Sequence, residues 1–141
     1  MSATVSDCIF CKIVNGAIPA RKIYEDEDFL SFLDIFPASR GHALVIPKAH
    51  HQDIQEISED LYGQLALRAK RVSDILLQKL TPEGVTVFQM NKHAGWQSVF
   101  HIHFHVIPRW AGDGLRNPWI ITPGEDSELN ELHQLIGVHS A

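Results

Sequence analysis

Three histidines stand at every second position of HIHFHVI, residues 101–107, with Ile, Phe and Val between them. In an extended strand, side chains alternate between faces. His101, His103 and His105 then share one face, and Ile102, Phe104 and Val106 the other. An apolar face suits a core, and a row of imidazoles suits chemistry. Alternate histidines can converge on one zinc ion. A neutral imidazole can also act near pH 7 as nucleophile or proton donor. A chemically silent row, each ring solvated or hydrogen-bonded singly, is the third reading; it would make the strand titrate near neutrality for no gain.

Cys8 and Cys11 are the only cysteines. Two are too few for a disulfide scaffold, and the C-x-x-C spacing in a chain without an evident export signal suits a metal site, a redox pair or plain thiols.

Around these residues the sequence spaces its elements clearly. CIFCKIVNG reads as a short helix stopped near Asn15 and Gly16. ARKIYEDEDFLSFLDIF offers two apolar runs about an acidic turn at 25–28, which predicts a hairpin. GHALVIPKAH adds a third strand ended by Pro47. Leu61, Leu65, Ala69, Val72, Leu76 and Leu80 recur at intervals of three and four behind Glu59 and Asp60, which predicts a helix over 59–80. VTVFQM resumes as a strand, and NKHAGWQS is a loop feeding the histidine strand. Residues 109–125 are loop-like, and EDSELNELHQLIGV predicts a short final helix through Leu129, Leu132 and Ile136.

The 141 residues fit one domain, 1–141, whose single core can bury roughly two thirds of the unfolded chain's surface. No apolar run approaches the ~18 residues that span a bilayer, so no membrane association is expected. A net charge of −5 without a Lys/Arg cluster argues against nucleic acid as a partner. MSATVSDCIFCKI has no basic stretch followed by a long apolar segment, so a cytoplasmic location is expected.

NKHAGWQSVFHIHFHVIPR at 91–109, CIFCKI at 8–13, FLDI at 32–35 and GHALVIPKAH at 41–50 together resemble the histidine triad (HIT) family of nucleotide hydrolases and transferases, in its phosphoramidase-like branch with a C-x-x-C zinc site. The resemblance covers residues 7–109 and leaves 110–141 as a C-terminal extension. It departs at Trp96, where a small residue, commonly Gly, often precedes the Gln. The fold it implies is α+β: an antiparallel sheet of about five strands, packed by one long helix and a short N-terminal helix, with two sheets joined in a homodimer.

The resemblance also implies roles. His103 matches the nucleophile that attacks the α-phosphorus of a nucleotide and carries it covalently. His105 matches the residue at the phosphate and leaving group, and His42 a further active-site histidine that orients the triad. Asn91, Gln97 and Ser98 match polar residues around the phosphate. Asp34 matches the carboxylate holding the ribose hydroxyls, although a turn carboxylate before Pro37 is the alternative. Ile9, Phe10, Phe32 and Ile35 fall where relatives sandwich the purine. Cys8, Cys11, His50 and His101 match the ligands of one structural zinc per chain, with His51 a possible substitute. His93, His133 and His139 receive no role, and no organic cofactor is implied. The expected substrate is a purine nucleotide such as an AMP derivative, above all an adenosine phosphoramidate. Dinucleoside polyphosphate hydrolysis and a non-catalytic nucleotide- or zinc-binding interaction module are the alternatives.

Overall fold

In the computed structural model, which describes residues 5–140, Ser58 starts the long helix: its Oγ accepts a hydrogen bond from the Leu61 N–H at 3.2 Å. Glu59 and Asp60 place negative charge in the first turn, where the exposed N–H groups favour it. In chain order the elements are α1 (Ile9–Val14), β1 (Lys22–Glu25), β2 (Phe29–Leu33), β3 (Ala43–Pro47), α2 (Glu59–Leu80), β4 (Gly84–Gln89), β5 (Phe104–Arg109) and α3 (Asp126–Ile136). Residues 1–4 and 141 of the expected domain lie outside the described residues.

The five strands form one antiparallel sheet in the order β1-β2-β3-β5-β4, as the α+β expectation required. α2 lies across β5 and β3. Its buried residues Leu65, Ala69, Val72 and Leu76 pack on Phe29, Ala43, Val45, Ile102, Phe104 and Val106. α1 covers part of the opposite face, where Phe10 and Ile13 meet Leu30, Phe32, Leu44 and Ile46. Helices on both faces explain why β2 and β3 read as nearly unbroken apolar runs instead of alternating. No helix among the described residues is long and apolar enough to cross a membrane. The expected final helix forms as α3, yet it buries none of its side chains.

One expectation needs correction. The strand bearing the histidines begins at Phe104, not His101. Its partners set that limit: β3 pairs with it only as far as Val45 and β4 only as far as Gln89. Upstream, the Ile102 N–H donates instead to the His51 carbonyl at 2.7 Å. The alternation survives, since Ile102, Phe104 and Val106 all enter the α2-side core while His101 and His103 meet the edge of Phe10 in α1.

Candidate active site and metal centre

Four histidine rings have their tautomers set by their neighbours. The His103 Nδ1 lies 2.7 Å from the His101 carbonyl, which can only accept, so Nδ1 carries the proton and Nε2 keeps a bare lone pair. The Ala38 N–H donates to His42 Nδ1 at 2.9 Å, so His42 holds its proton on Nε2. That proton faces His105 Nδ1 at 2.9 Å, which leaves the neutral His105 ring with its own proton on Nε2. His101 donates through Nε2 to the Pro47 carbonyl at 2.8 Å, so its Nδ1 is bare.

Burial keeps these rings neutral. Desolvation lowers His103 and His42 from the ordinary histidine value, and Asp34 partly offsets the effect in both. Desolvation, reinforced by the neighbouring His103 and His42, takes His105 down to about 3. His101 is likewise held down to about 4, first by burial.

Backbone geometry brings His42 to the triad. Gly41 has φ +85, a left-handed conformation that favours glycine, and a Cβ there would run into the Leu80 side chain. The His42 carbonyl then accepts from the Asp34 N–H at 2.9 Å, which ties the loop after β2 to the start of β3. Phe88 of β4 stacks on the His105 ring at 4.6 Å, because the two residues are register partners across β4 and β5. Phe88 carried no sequence signal as a site residue, since its place depends on strand register.

A cavity of about 550 Å3 opens beside this cluster. His42, His103, His105, Asp34, Ser98, Ile9, Phe10, Phe32 and Ile35 line it, so most of the residues assigned by resemblance share one wall. Phe10 and Phe32 are buried and meet edge to face at 5.5 Å, whereas Ile9 and Ile35 are exposed at the rim. Asp34 Oδ1 accepts from the Phe36 N–H at 2.9 Å, and its Oδ2 lies 3.6 Å from His42 Nε2. It is therefore both a turn residue and a cavity carboxylate.

Neither Asn91 nor Gln97 lines the cavity. Asn91 Oδ1 accepts from the Ile54 N–H and from Gln89, and Gln97 bonds the Lys92 N–H and the carbonyls of Gln52 and Val99. Both amides hold the loop that carries Ser98.

Cys8, Cys11, His50 and His101 gather at the far end of the triad, with their ligand atoms all within 4.8 Å of one another. Cys8 Sγ is 3.4 Å and Cys11 Sγ 3.6 Å from the bare His101 Nδ1, and Cys11 Sγ is 3.4 Å from His50 Nδ1. Tetrahedral zinc with its ordinary bond lengths separates sulfur and nitrogen ligands by about 3.6 Å, so the set fits that ion. The i, i+3 spacing puts both sulfurs on one side of the first turn of α1, where Cys8 also accepts from the Cys11 N–H. Burial raises the Cys11 thiol, which a bound cation would reverse. His51 gives its carbonyl to Ile102 and does not join the set.

The family model described as the HIT domain matches residues 15–112. The chain belongs to the HIT family. It is 40% identical over 130 residues to a protein from Schizosaccharomyces pombe named adenosine 5'-monophosphoramidase hnt1, covering 92% of this chain and 95% of that protein. Among solved structures, SMU.412c from Streptococcus mutans UA159 superposes with a TM-score of 0.89 at 37% identity, covering 96% of this chain and 87% of that one. A HIT-family protein from Mycobacterium smegmatis, described as Zn-bound, is 42% identical with a TM-score of 0.74, covering 80% and 84% of the two chains.

Proposed function

We propose that this HIT-family chain is a nucleotide hydrolase acting at the α-phosphate of a purine nucleotide, above all on adenosine phosphoramidate-type substrates, through a covalent nucleotidyl-His103 intermediate. One observation carries the reading: the hydrogen bond from His103 Nδ1 to the His101 carbonyl leaves Nε2 bare in the cavity, beside a His105 ring that offers Nε2–H. A nucleophile needs an unprotonated nitrogen, and a phosphoryl group gathering charge needs a donor.

In the first step His103 Nε2 attacks phosphorus and the P–N bond breaks. The departing amine takes its electron pair and a proton from solvent, while His105 Nε2–H donates to the reacting phosphate. A water molecule then displaces the imidazole, giving AMP and free His103. Asp34 accepts from the ribose hydroxyls, and Phe10, Phe32 and the rim isoleucines hold the base. Zinc on Cys8, Cys11, His50 and His101 would clamp α1 to the segment that presents His103. A homodimer belongs to the same reading, supported by the edge of β4 and the exposed apolar side chains of α3. So does a cytoplasmic setting, in which the two thiols stay reduced.

Replacing His103 by Ala tests the mechanism. Turnover should fall at least about a thousandfold, about 4 kcal/mol of barrier, while AMP still binds. Mass spectrometry of quenched wild-type protein should find an AMP adduct on His103. A substrate chiral at phosphorus should react with retention, the result of two in-line displacements; inversion would mean direct attack by water.

A further inference from the structure

Trp96 occupies a backbone position that disfavours it. Its φ is +71 and ψ 21, in the left-handed region where glycine is at ease and a bulky side chain is an outlier. The core does not hold it there, since the residue is 55% exposed. Instead it stacks on Trp119, 23 residues on, at 5.8 Å between centroids and 23° between planes. Strain of this kind persists where the surroundings use it.

Both indoles line a second cavity of about 820 Å3. It begins where the nucleotide cavity ends: Ala38, Phe88, Met90 and Ile107 belong to both walls. Phe88 is the ring stacked on His105, so the second cavity continues from the side of the site that His105 occupies. A nucleotide with its phosphate at His103 and His105 has one part that can extend past Phe88, the group displaced from phosphorus. The lining there is mainly apolar and aromatic.

We propose that Trp96 and Trp119 form the leaving-group subsite and select substrates whose leaving group carries a flat aromatic ring. This rests on the reaction assigned above. Trp96 is then a specificity-determining residue: its ring stacks with the substrate in compensation for a conformation that glycine would adopt freely.

The test compares two adenosine 5'-phosphoramidates of matched size, one releasing benzylamine and the other cyclohexylmethylamine. The zinc-loaded wild type is measured against Trp96→Gly and Trp119→Ala. Scoring each variant's benzyl-to-cyclohexylmethyl ratio of kcat/KM against the wild-type ratio cancels the different basicities of the amines. The ratio should drop about three- to tenfold in both variants, the scale of one aromatic pair, with the change falling on KM. Trp96→Gly should melt no lower than the wild type, because glycine relieves the left-handed backbone. An unchanged ratio in either variant, or an equal slowing of both substrates, would overturn the subsite. If wild-type protein turns over neither compound, the assigned reaction fails. The subsite is then decided by fluorescence titration of the same variants with the benzyl and cyclohexylmethyl esters of AMP, for which the same loss of ratio in affinity supports it and an unchanged ratio overturns it.

Discussion

His42 Nε2 donates to His105 Nδ1 across 2.9 Å, and the proton runs in that direction because the Ala38 N–H already occupies the other nitrogen of His42. A backbone amide in the loop after β2 thus decides which nitrogen of a β5 histidine keeps its proton. Without His42, His105 is free to move its proton to Nδ1 and leave Nε2 bare. In the proposed reaction two lone-pair nitrogens would then face the phosphate.

His42→Ala should therefore lower kcat by about 100- to 10,000-fold, the usual contribution of one positioned proton-bearing group. AMP affinity per folded molecule should change far less, since both ring nitrogens of His42 are already bonded, to the Ala38 N–H and to His105. Single-turnover rates on zinc-loaded protein, with AMP titration alongside, separate the two. Equal losses in binding and turnover would assign His42 to substrate contact instead.

The low pKa of His105 bears on stability. A histidine held near 3 in the folded chain and near 6.5 in the unfolded one binds its proton only after unfolding throughout that window. The native state then holds fewer protons, so its stability is complete above about 6.5 and is lost as pH falls toward 3. Each such ring contributes a slope of about 1.4 kcal/mol per pH unit within its window. Thermal melts from pH 7 to 4 should show a falling Tm, and His105→Gln should flatten the fall.

Much of this was legible in the sequence, for reasons that can be named. α2 spans 59–80 as its apolar spacing and the acidic pair Glu59 and Asp60 indicate, because an amphipathic helix writes its face, and its first-turn charges its start, into local sequence. The two sulfurs and two imidazoles were legible as a set only through resemblance, since His50 and His101 lie far from the C-x-x-C pair in the chain. The start of β5 at Phe104 was not legible, because a ladder ends where its partners leave it. Asn91 and Gln97 show the same limit. An amide can serve a phosphate or a loop backbone, and only the surrounding carbonyls and N–H groups decide between them.

Asp34 combines two roles that substitutions can separate. Its Oδ1 accepts from the Phe36 N–H, an acceptor that Asn retains and Ala removes. Its charge, which Asn also removes, would serve the ribose hydroxyls in the proposed reaction. Asp34→Asn should keep the Tm within a degree or two while weakening AMP binding by about 1 to 2 kcal/mol, the difference between charge-assisted and neutral hydrogen bonds. Asp34→Ala should do both kinds of damage. Calorimetric titration and melting of the two proteins check this, and an Asn variant that binds normally would leave Asp34 a turn residue alone.

Metal removal should reveal a structural centre. The four donors surround a point at the junction of α1, the end of β3 and the segment entering β5, and His101 is bonded there to the Pro47 carbonyl. None of the four lines the cavity beside the triad, so an ion there has no open position toward a substrate bound in it. Zinc should be found near one per chain by elemental analysis of protein purified without chelators. Cys8→Ala should lower Tm strongly, because a ligand set that forms only on folding turns metal affinity into folding free energy. Turnover per folded molecule, measured well below the melting point, should fall by less than about tenfold, since His103 keeps its bond to the His101 carbonyl as long as that segment stays folded. A loss of turnover that precedes the loss of stability during gentle chelation would reverse the assignment, because only a metal engaged in the reaction is missed before the fold loosens.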